Sequence, residues 1–321
     1  MCTRFLVSSG GDPGKGIVSV GRTMDWWEDT ATVLALRPRG TKRSSSPSYP
    51  GGFDWTSEYG SVVALMYGKL AVDGLNEKGF QVSALYLTEA DYGERDPQRP
   101  GIELGLVVQC LLDRFQKVTD AVEWLVQSKI QIIPLMIGEK PGTGHLALAD
   151  ATGDSAVVEY LDGKIVVHEG PAYTVMANSP VYSEQLELLS RYEGLGGDQP
   201  LPGGVSSTDR FARAAYYSRH LPETNDVELF AAQVFSVARN ASAPFGVIDV
   251  ARPYVSTTRW RTVSDLTNLI YFFEETTRPN VVWIRLKALD FEPGPEQILN
   301  LDAESIRDEP SGDVSGLFKV R

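Results

Sequence analysis

Short runs of β-branched and aromatic residues, each bounded by Gly, Pro or Asp, dominate the first ninety positions. Ile17 to Val20, Thr32 to Leu36, Ser61 to Met66 and Gly79 to Leu85 read as strands. Between them, Arg37 to Phe53 is rich in Ser, Pro, Gly and Arg and reads as a long surface loop. Loops of that length inside a compact domain are usually functional or mobile. After Pro100-Gly101 the period changes, and Glu103 to Phe115 predicts a helix. Thr119 to Gln127 predicts a second one, with Ala121, Val122, Leu125 and Val126 on one face and Thr119 and Asp120 as its N-cap.

The strand pattern returns at His145 to Asp150, Ala156 to Leu161 and Lys164 to His168, joined by tight turns at Thr152-Gly153-Asp154 and Asp162-Gly163. Tyr173 to Met176 is another short strand. Ser183 to Tyr192, Ser207 to His220 and Asp226 to Ala241 predict helices. Thr257 to Val263, Asn268 to Glu274 and Asn280 to Leu286 predict strands again. No internal repeat and no clear linker divides these blocks. Their order is that of a layered α+β fold, so one domain over residues 1–321 is expected, with two sheets packed between helices.

Composition narrows the class. The 321 residues are 42% hydrophobic and 22% charged, with 30 Gly and 19 Pro. That is ordinary globular usage and excludes a disordered, collagen-like or coiled-coil chain. Lys and Arg number 30 against 42 Asp and Glu, a net charge of −12. Such a surface repels phosphate backbones, so nucleic acid is not an expected partner. No stretch of eighteen apolar residues is present, so no membrane span is expected. Met1-Cys2-Thr3-Arg4 has no basic region leading into an apolar one. The sequence as written therefore predicts a cytoplasmic protein, with the periplasm the alternative if a signal has been removed.

Candidate chemistry begins with what is missing. There is no G-x-S-x-G elbow, no H-E-x-x-H, no Walker loop and no G-x-G-x-x-G between strand and helix. Of three histidines, His168 and His220 fall at the ends of elements and read as solvated, while His145 begins a strand and reads as packing. Two cysteines, Cys2 and Cys110, cannot build a disulfide scaffold or a Cys-rich zinc site. Cys110, within Gly105 to Leu112, reads as a buried helix face, where free Cys packs as a small hydrophobe.

Cys2 is different. A small second residue favours removal of Met1, which would leave Cys2 carrying both a thiol nucleophile and an α-amino base. Unperturbed, those groups titrate near about 8.5 and about 8, so a proton passes between them at little cost. An amine serving its own nucleophile is a way to activate Thr or Cys without histidine. Arg22 and Asp25 lie in Gly21-Arg22-Thr23-Met24-Asp25-Trp26, where the strand from Ile17 is expected to give way to a turn. A guanidinium near the thiol favours thiolate, and a carboxylate can orient the amine. A plain Arg–Asp surface pair would contribute little.

Met1-Cys2-Thr3-Arg4 together with Gly21 to Trp26 resembles the choloylglycine hydrolase family, the penicillin V acylases and bile salt hydrolases, which are N-terminal nucleophile hydrolases. The likeness continues, in family order, through Asp73-Gly74-Leu75-Asn76-Glu77-Lys78-Gly79-Phe80, Met176-Ala177-Asn178-Ser179-Pro180, Asp209-Arg210-Phe211-Ala212-Arg213 and Ser256 to Thr262. Those blocks span positions 1 to 262.

The resemblance implies a four-layer αββα sandwich of two antiparallel sheets flanked by helices. It also implies a cysteine amidase acting on a linear secondary amide without metal or cofactor. Cys2 would be nucleophile and base, Arg22 would sit beside the sulfur, and Asp25 would bind the α-amino group. Asn178 matches the oxyanion-hole asparagine, Arg210 the second arginine of the site. Tyr86, in Ala84-Leu85-Tyr86-Leu87, stands where bile salt hydrolases carry Asn and penicillin V acylases carry Tyr or Trp. Its backbone N–H would complete the oxyanion hole, and its ring, with Trp26 and Trp27, would favour flat, apolar acyl groups. The segments Asp54 to Gly60 and Thr258 to Val263 look more like acylases of Gram-negative type, which cleave penicillin V and, in some members, N-acyl homoserine lactones. A small-molecule amide is thus the implied partner, and a homo-oligomer, often a tetramer in the family, the implied assembly. Three rivals are a conjugated bile salt hydrolase, a non-catalytic binder on the same fold, and a Cys-His peptidase using Cys110 and His145.

Overall fold

The computed structural model describes residues 2–45, 51–137, 140–246, 256–278, 280–301 and 311–320. Among them two large sheets carry the architecture. The first has seven strands, in the order 175–176, β1 (Cys2–Ser8), β2 (Val18–Trp26), 257–265, 270–275, 281–285 and 311–313. The second has nine, in the order 164–169, 155–161, 144–149, 81–86, 70–76, 61–66, 33–37, 297–299 and 319–320. Pairing is antiparallel in both, except that 311–313 joins the first sheet parallel to 281–285.

Helices cover both outer faces. α1 (Leu104–Arg114) and α2 (Val118–Gln127) bury Val107, Val108, Leu111, Leu112, Ala121 and Leu125 against the second sheet. α3 (Tyr182–Leu189), α4 (Ser207–Arg219) and α5 (Val227–Asn240) cover the first, where Phe211, Ala214, Ala215, Phe230 and Val234 share a buried cluster with Phe5. The result is the expected αββα sandwich.

Local physics accounts for most departures from the sequence reading. α2 is not capped by Thr119 or Asp120. Lys117 is its N-cap and gives no side-chain bond, while Asp150, from the turn after strand 144–149, accepts from the Val118 N–H at 2.9 Å. Within Arg37 to Phe53, Lys42–Ser44 pairs with Asp54–Thr56 as a small hairpin; residues 46–50 lie outside the described residues. The Asp162-Gly163 turn holds, with both residues at positive φ as a two-residue hairpin demands. β2 does not turn after Val20 but continues to Trp26. β1 and strand 70–76 were not foreseen, nor were 297–299, 311–313 and 319–320. Each is short or interrupted by Arg, Asp or Gly, which mask a period of two.

Gly21 is the point that lets β1 and β2 sit together as they do. Phe5 is its partner in the register, and a Cβ at Gly21 would lie 2.2 Å from the Phe5 ring. The ring therefore occupies the space where a side chain would stand.

Candidate active site

The register of β1 with β2 pairs Cys2 with Met24 and Arg4 with Arg22. Alternation then places these four side chains on one face. That face looks toward the second sheet. Arg4 donates to the Leu148 carbonyl at 3.1 Å and to Ser155 Oγ at 3.1 Å. Arg22 donates to the carbonyls of Ala84, at 2.8 Å, and Val72, and its guanidinium lies 5.1 Å from the Trp260 ring centroid. Cys2 Sγ sits 3.6 Å from Met24 Sδ, which is 3.7 Å from Arg22 Nη2. Burial alone lowers the affinity of Arg22 for its proton, yet Asp73 and the Cys2 thiol outweigh burial and raise its pKa. Arg4 is drawn down to about 10 because burial outweighs the opposing pull of Tyr182 and Asp73.

Asp25 points the other way, on the helix-facing side of β2 with Thr23. Its Oδ1 accepts from Thr258 Oγ1 at 2.6 Å, and its Oδ2 lies 3.1 Å from Arg210 Nη1. In register it falls one step past the Cys2–Met24 pair. Met1 itself lies outside the described residues.

Arg210 is fully buried on α4 rather than on a solvated face. It donates to Thr3 Oγ1 at 2.5 Å and to Asn178 Oδ1 at 3.0 Å. Asn178 follows strand 175–176 at the edge of the first sheet. Its Oδ1 also accepts from the Cys2 backbone N–H, and its Nδ2 donates to the Tyr86 carbonyl at 2.6 Å. Ser207 Oγ accepts from the Asn178 N–H at 2.8 Å, and the Gln185 amide donates to its carbonyl. Cys2, Arg22, Asp25, Tyr86, Asn178 and Arg210, spread over more than two hundred positions, are thus brought to one end of the sandwich.

Two expected wall residues part company. Trp26 is buried and meets the Tyr86 ring edge-on at 6.5 Å between centroids. Trp27 is 49% exposed and stacks on the outside of Trp26 at 4.0 Å. A cleft of about 80 Å³ opens at Cys2, with Met24, Trp26, Met66, Leu70, Tyr86 and Gly105 among its lining residues. It is almost wholly apolar. Trp27 does not line it.

His145 is more than filler. Its Nδ1 lies 3.0 Å from Glu159, and its Nε2 lies 2.8 Å from the carbonyl of Ala177, the residue before Asn178. Both ring nitrogens are occupied, and Cys110 is buried on α1 with its thiol pushed up to about 12 by desolvation. That geometry gives the Cys-His peptidase no support. His168 is not solvated but half-buried against Tyr173 and Tyr182, while His220 is exposed and stacks on Tyr216.

Asp73 is the functional candidate missed by sequence reasoning. Its carboxylate is fully buried, 3.2 Å from Arg22 Nη1. The signal available was an acidic residue inside the otherwise apolar run Leu70 to Leu75. A charge in such a run needs a partner, which the sequence alone does not name.

Comparison with known proteins agrees with this arrangement. Residues 2–302 match the model of the linear amide C–N hydrolases, choloylglycine hydrolase family. A penicillin V acylase of Pectobacterium atrosepticum is 37% identical, covering 99% of this chain and 90% of that one. A bile salt hydrolase/transferase of Clostridium perfringens is 24% identical over 68% of this chain and 74% of its own length. Among solved structures, penicillin V acylase from Agrobacterium tumefaciens superposes with a TM-score of 0.90 at 40% identity, covering 100% of this chain and 98% of that one. A conjugated bile acid hydrolase from Clostridium perfringens, at 20% identity and a TM-score of 0.77, covering 93% of this chain and 96% of that one, shares the fold. The chain belongs to the choloylglycine hydrolase family and is an amidohydrolase acting on linear amide C–N bonds.

Proposed function

We propose that the chain is a penicillin V acylase-like cysteine amidase whose nucleophile is Cys2, freed by removal of Met1. The observation that carries this reading is the single Asn178 side chain. It reaches the Cys2 nitrogen, the Arg210 guanidinium and the Tyr86 backbone at once.

The Cys2 thiolate attacks the amide carbonyl, forming the C–S bond while the carbonyl π pair moves onto oxygen. Asn178 Nδ2 carries two hydrogens; one goes to Tyr86, and the second is assigned to that oxyanion together with the Tyr86 N–H. The Cys2 ammonium protonates the leaving nitrogen as the C–N bond breaks. Water, giving its proton to the same amine, then attacks the thioester; the C–S bond breaks, releasing the carboxylic acid and restoring the thiolate. Arg22 favours the thiolate, and Asp25 with Arg210 orients the amine.

An aryloxyacetyl or fatty-acyl amide, as in penicillin V or an N-acyl homoserine lactone, suits a narrow apolar cleft edged by Trp26 and Tyr86. Initial rates on penicillin V, an N-acyl homoserine lactone and glycocholate, measured side by side, test the order. A clear preference for glycocholate overturns it in favour of a bile salt hydrolase. Intact mass with N-terminal sequencing tests the mechanism, since active protein with Met1 retained has no free Cys2 amine. A Cys2→Ser variant with wild-type turnover would likewise remove the nucleophile.

A further inference from the structure

The Asp73 carboxylate is held by more partners than a simple ion pair needs. Oδ1 accepts from Gln81 Nε2 at 2.8 Å and Ser83 Oγ at 2.6 Å, besides facing Arg22 Nη1. Oδ2 accepts from Thr262 Oγ1 at 3.1 Å and Tyr271 Oη at 2.7 Å. Gln81 and Ser83 belong to the second sheet, Thr262 and Tyr271 to the first, so the carboxylate is clamped between them. The charged or titratable groups around it are Arg22 and Arg4 from β2 and β1, Tyr271 from strand 270–275, and beyond Arg22 the Cys2 thiol. Such an arrangement fixes a negative charge against the face of Arg22 away from Met24 and Cys2.

We infer that Asp73 is a positioning residue of the hydrolase: it fixes the Arg22 guanidinium beside Cys2 and cancels part of its charge. This rests on the reading of Cys2 as nucleophile. An uncompensated guanidinium in a water-poor site would pull the thiol far below the amine that must exchange protons with it. The resulting thiolate would be abundant but weakly nucleophilic, because nucleophilicity falls with basicity. Partial neutralisation by Asp73 limits that pull.

The test is the pH dependence of Cys2 alkylation by iodoacetamide, read by mass spectrometry on the N-terminal peptide, beside the pH profile of kcat/KM. Asp73→Asn keeps an oxygen acceptor for Arg22 and removes the charge, while its amide nitrogen no longer accepts from Thr262 and Tyr271. The expected result is an alkylation midpoint lower by about one pH unit. The acid limb of kcat/KM should move with it, and the plateau should fall about threefold, as a Brønsted slope near one half requires. A purely structural role would cost stability and leave the midpoint where it is. A midpoint that is unchanged, or that rises, overturns the inference. Should Asp73→Asn not fold, Arg22→Gln is compared with the neutral double variant Arg22→Gln/Asp73→Asn. The midpoint should again be lower without the carboxylate, and equal midpoints overturn the inference. Wild-type activity that survives full alkylation of Cys2 overturns the nucleophile reading and this inference together. A static midpoint in a Cys2-dependent enzyme overturns the inference alone.

Discussion

Arg210 Nη2 lies 3.0 Å from Asn178 Oδ1, and both residues are buried. The guanidinium polarises and orients the amide, so the amide's N–H groups face the Tyr86 backbone instead of rotating. Asn178→Ala is expected to lower kcat by about 100- to 1000-fold with little change in KM, because the donor acts on charge that develops only in the transition state. Steady-state kinetics check this. A loss smaller than tenfold would take Asn178 out of the oxyanion hole.

The acyl specificity is expected to reside in the Tyr86 ring, while its N–H serves any residue type. Tyr86→Asn should therefore keep turnover within about tenfold and move preference from penicillin V toward glycocholate. If the ratio of the two kcat/KM values does not move, the ring does not face the acyl group.

Gly105, in the first turn of α1, sets the depth of the cleft. A Cβ there would meet Leu70 Cδ2 at 2.6 Å and Leu135 Cδ1 at 2.8 Å. Gly105→Val is expected to depress kcat/KM for long-chain acyl homoserine lactones about tenfold more than for short-chain ones. Alkylation of Cys2 should proceed at the wild-type rate, which separates a shortened cleft from a damaged site.

Cys110 should resist iodoacetamide under native conditions and react only after unfolding, since burial holds its thiol protonated up to about 12. The stability consequence has a definite sign. Above pH 9 the unfolded chain sheds a thiol proton that the folded chain keeps, so stability falls as pH rises toward 12. The slope from this one group is at most about 1.4 kcal/mol per pH unit. Urea midpoints from pH 8 upward should therefore fall less steeply in Cys110→Ala than in the wild type. Parallel curves would contradict the burial effect.

His145 ties Glu159 to the Ala177 carbonyl and so steadies the strand that delivers Asn178. His145→Gln is expected to cost about 1–3 kcal/mol of stability through lost buried hydrogen bonds. The pH profile of turnover should keep its shape, because the imidazole exchanges no proton with substrate. A lost or displaced limb would revive a histidine in the chemistry.

The amino-acid sequence by itself pointed to two sheets packed between helices, and its resemblance to the family nominated Cys2, Arg22, Asp25, Asn178 and Arg210 as the candidate site. Strand and helix periods are local properties, and the five residues sit in short segments whose order along the chain is distinctive. Faces and partners were decided only by the tertiary structure. Arg22 and Asp25 are three residues apart on one strand, yet alternation and the β1 register send one toward the sulfur and the other toward Arg210. Propensity places Arg at a solvated surface; Arg4, Arg22 and Arg210 are wholly buried because two sheets and α4 bring carbonyls and carboxylates to them from distant segments. Asp73 shows the same limit most sharply, since a carboxylate in an apolar strand declares that a countercharge exists while only sheet-on-sheet packing brings Arg22 to it.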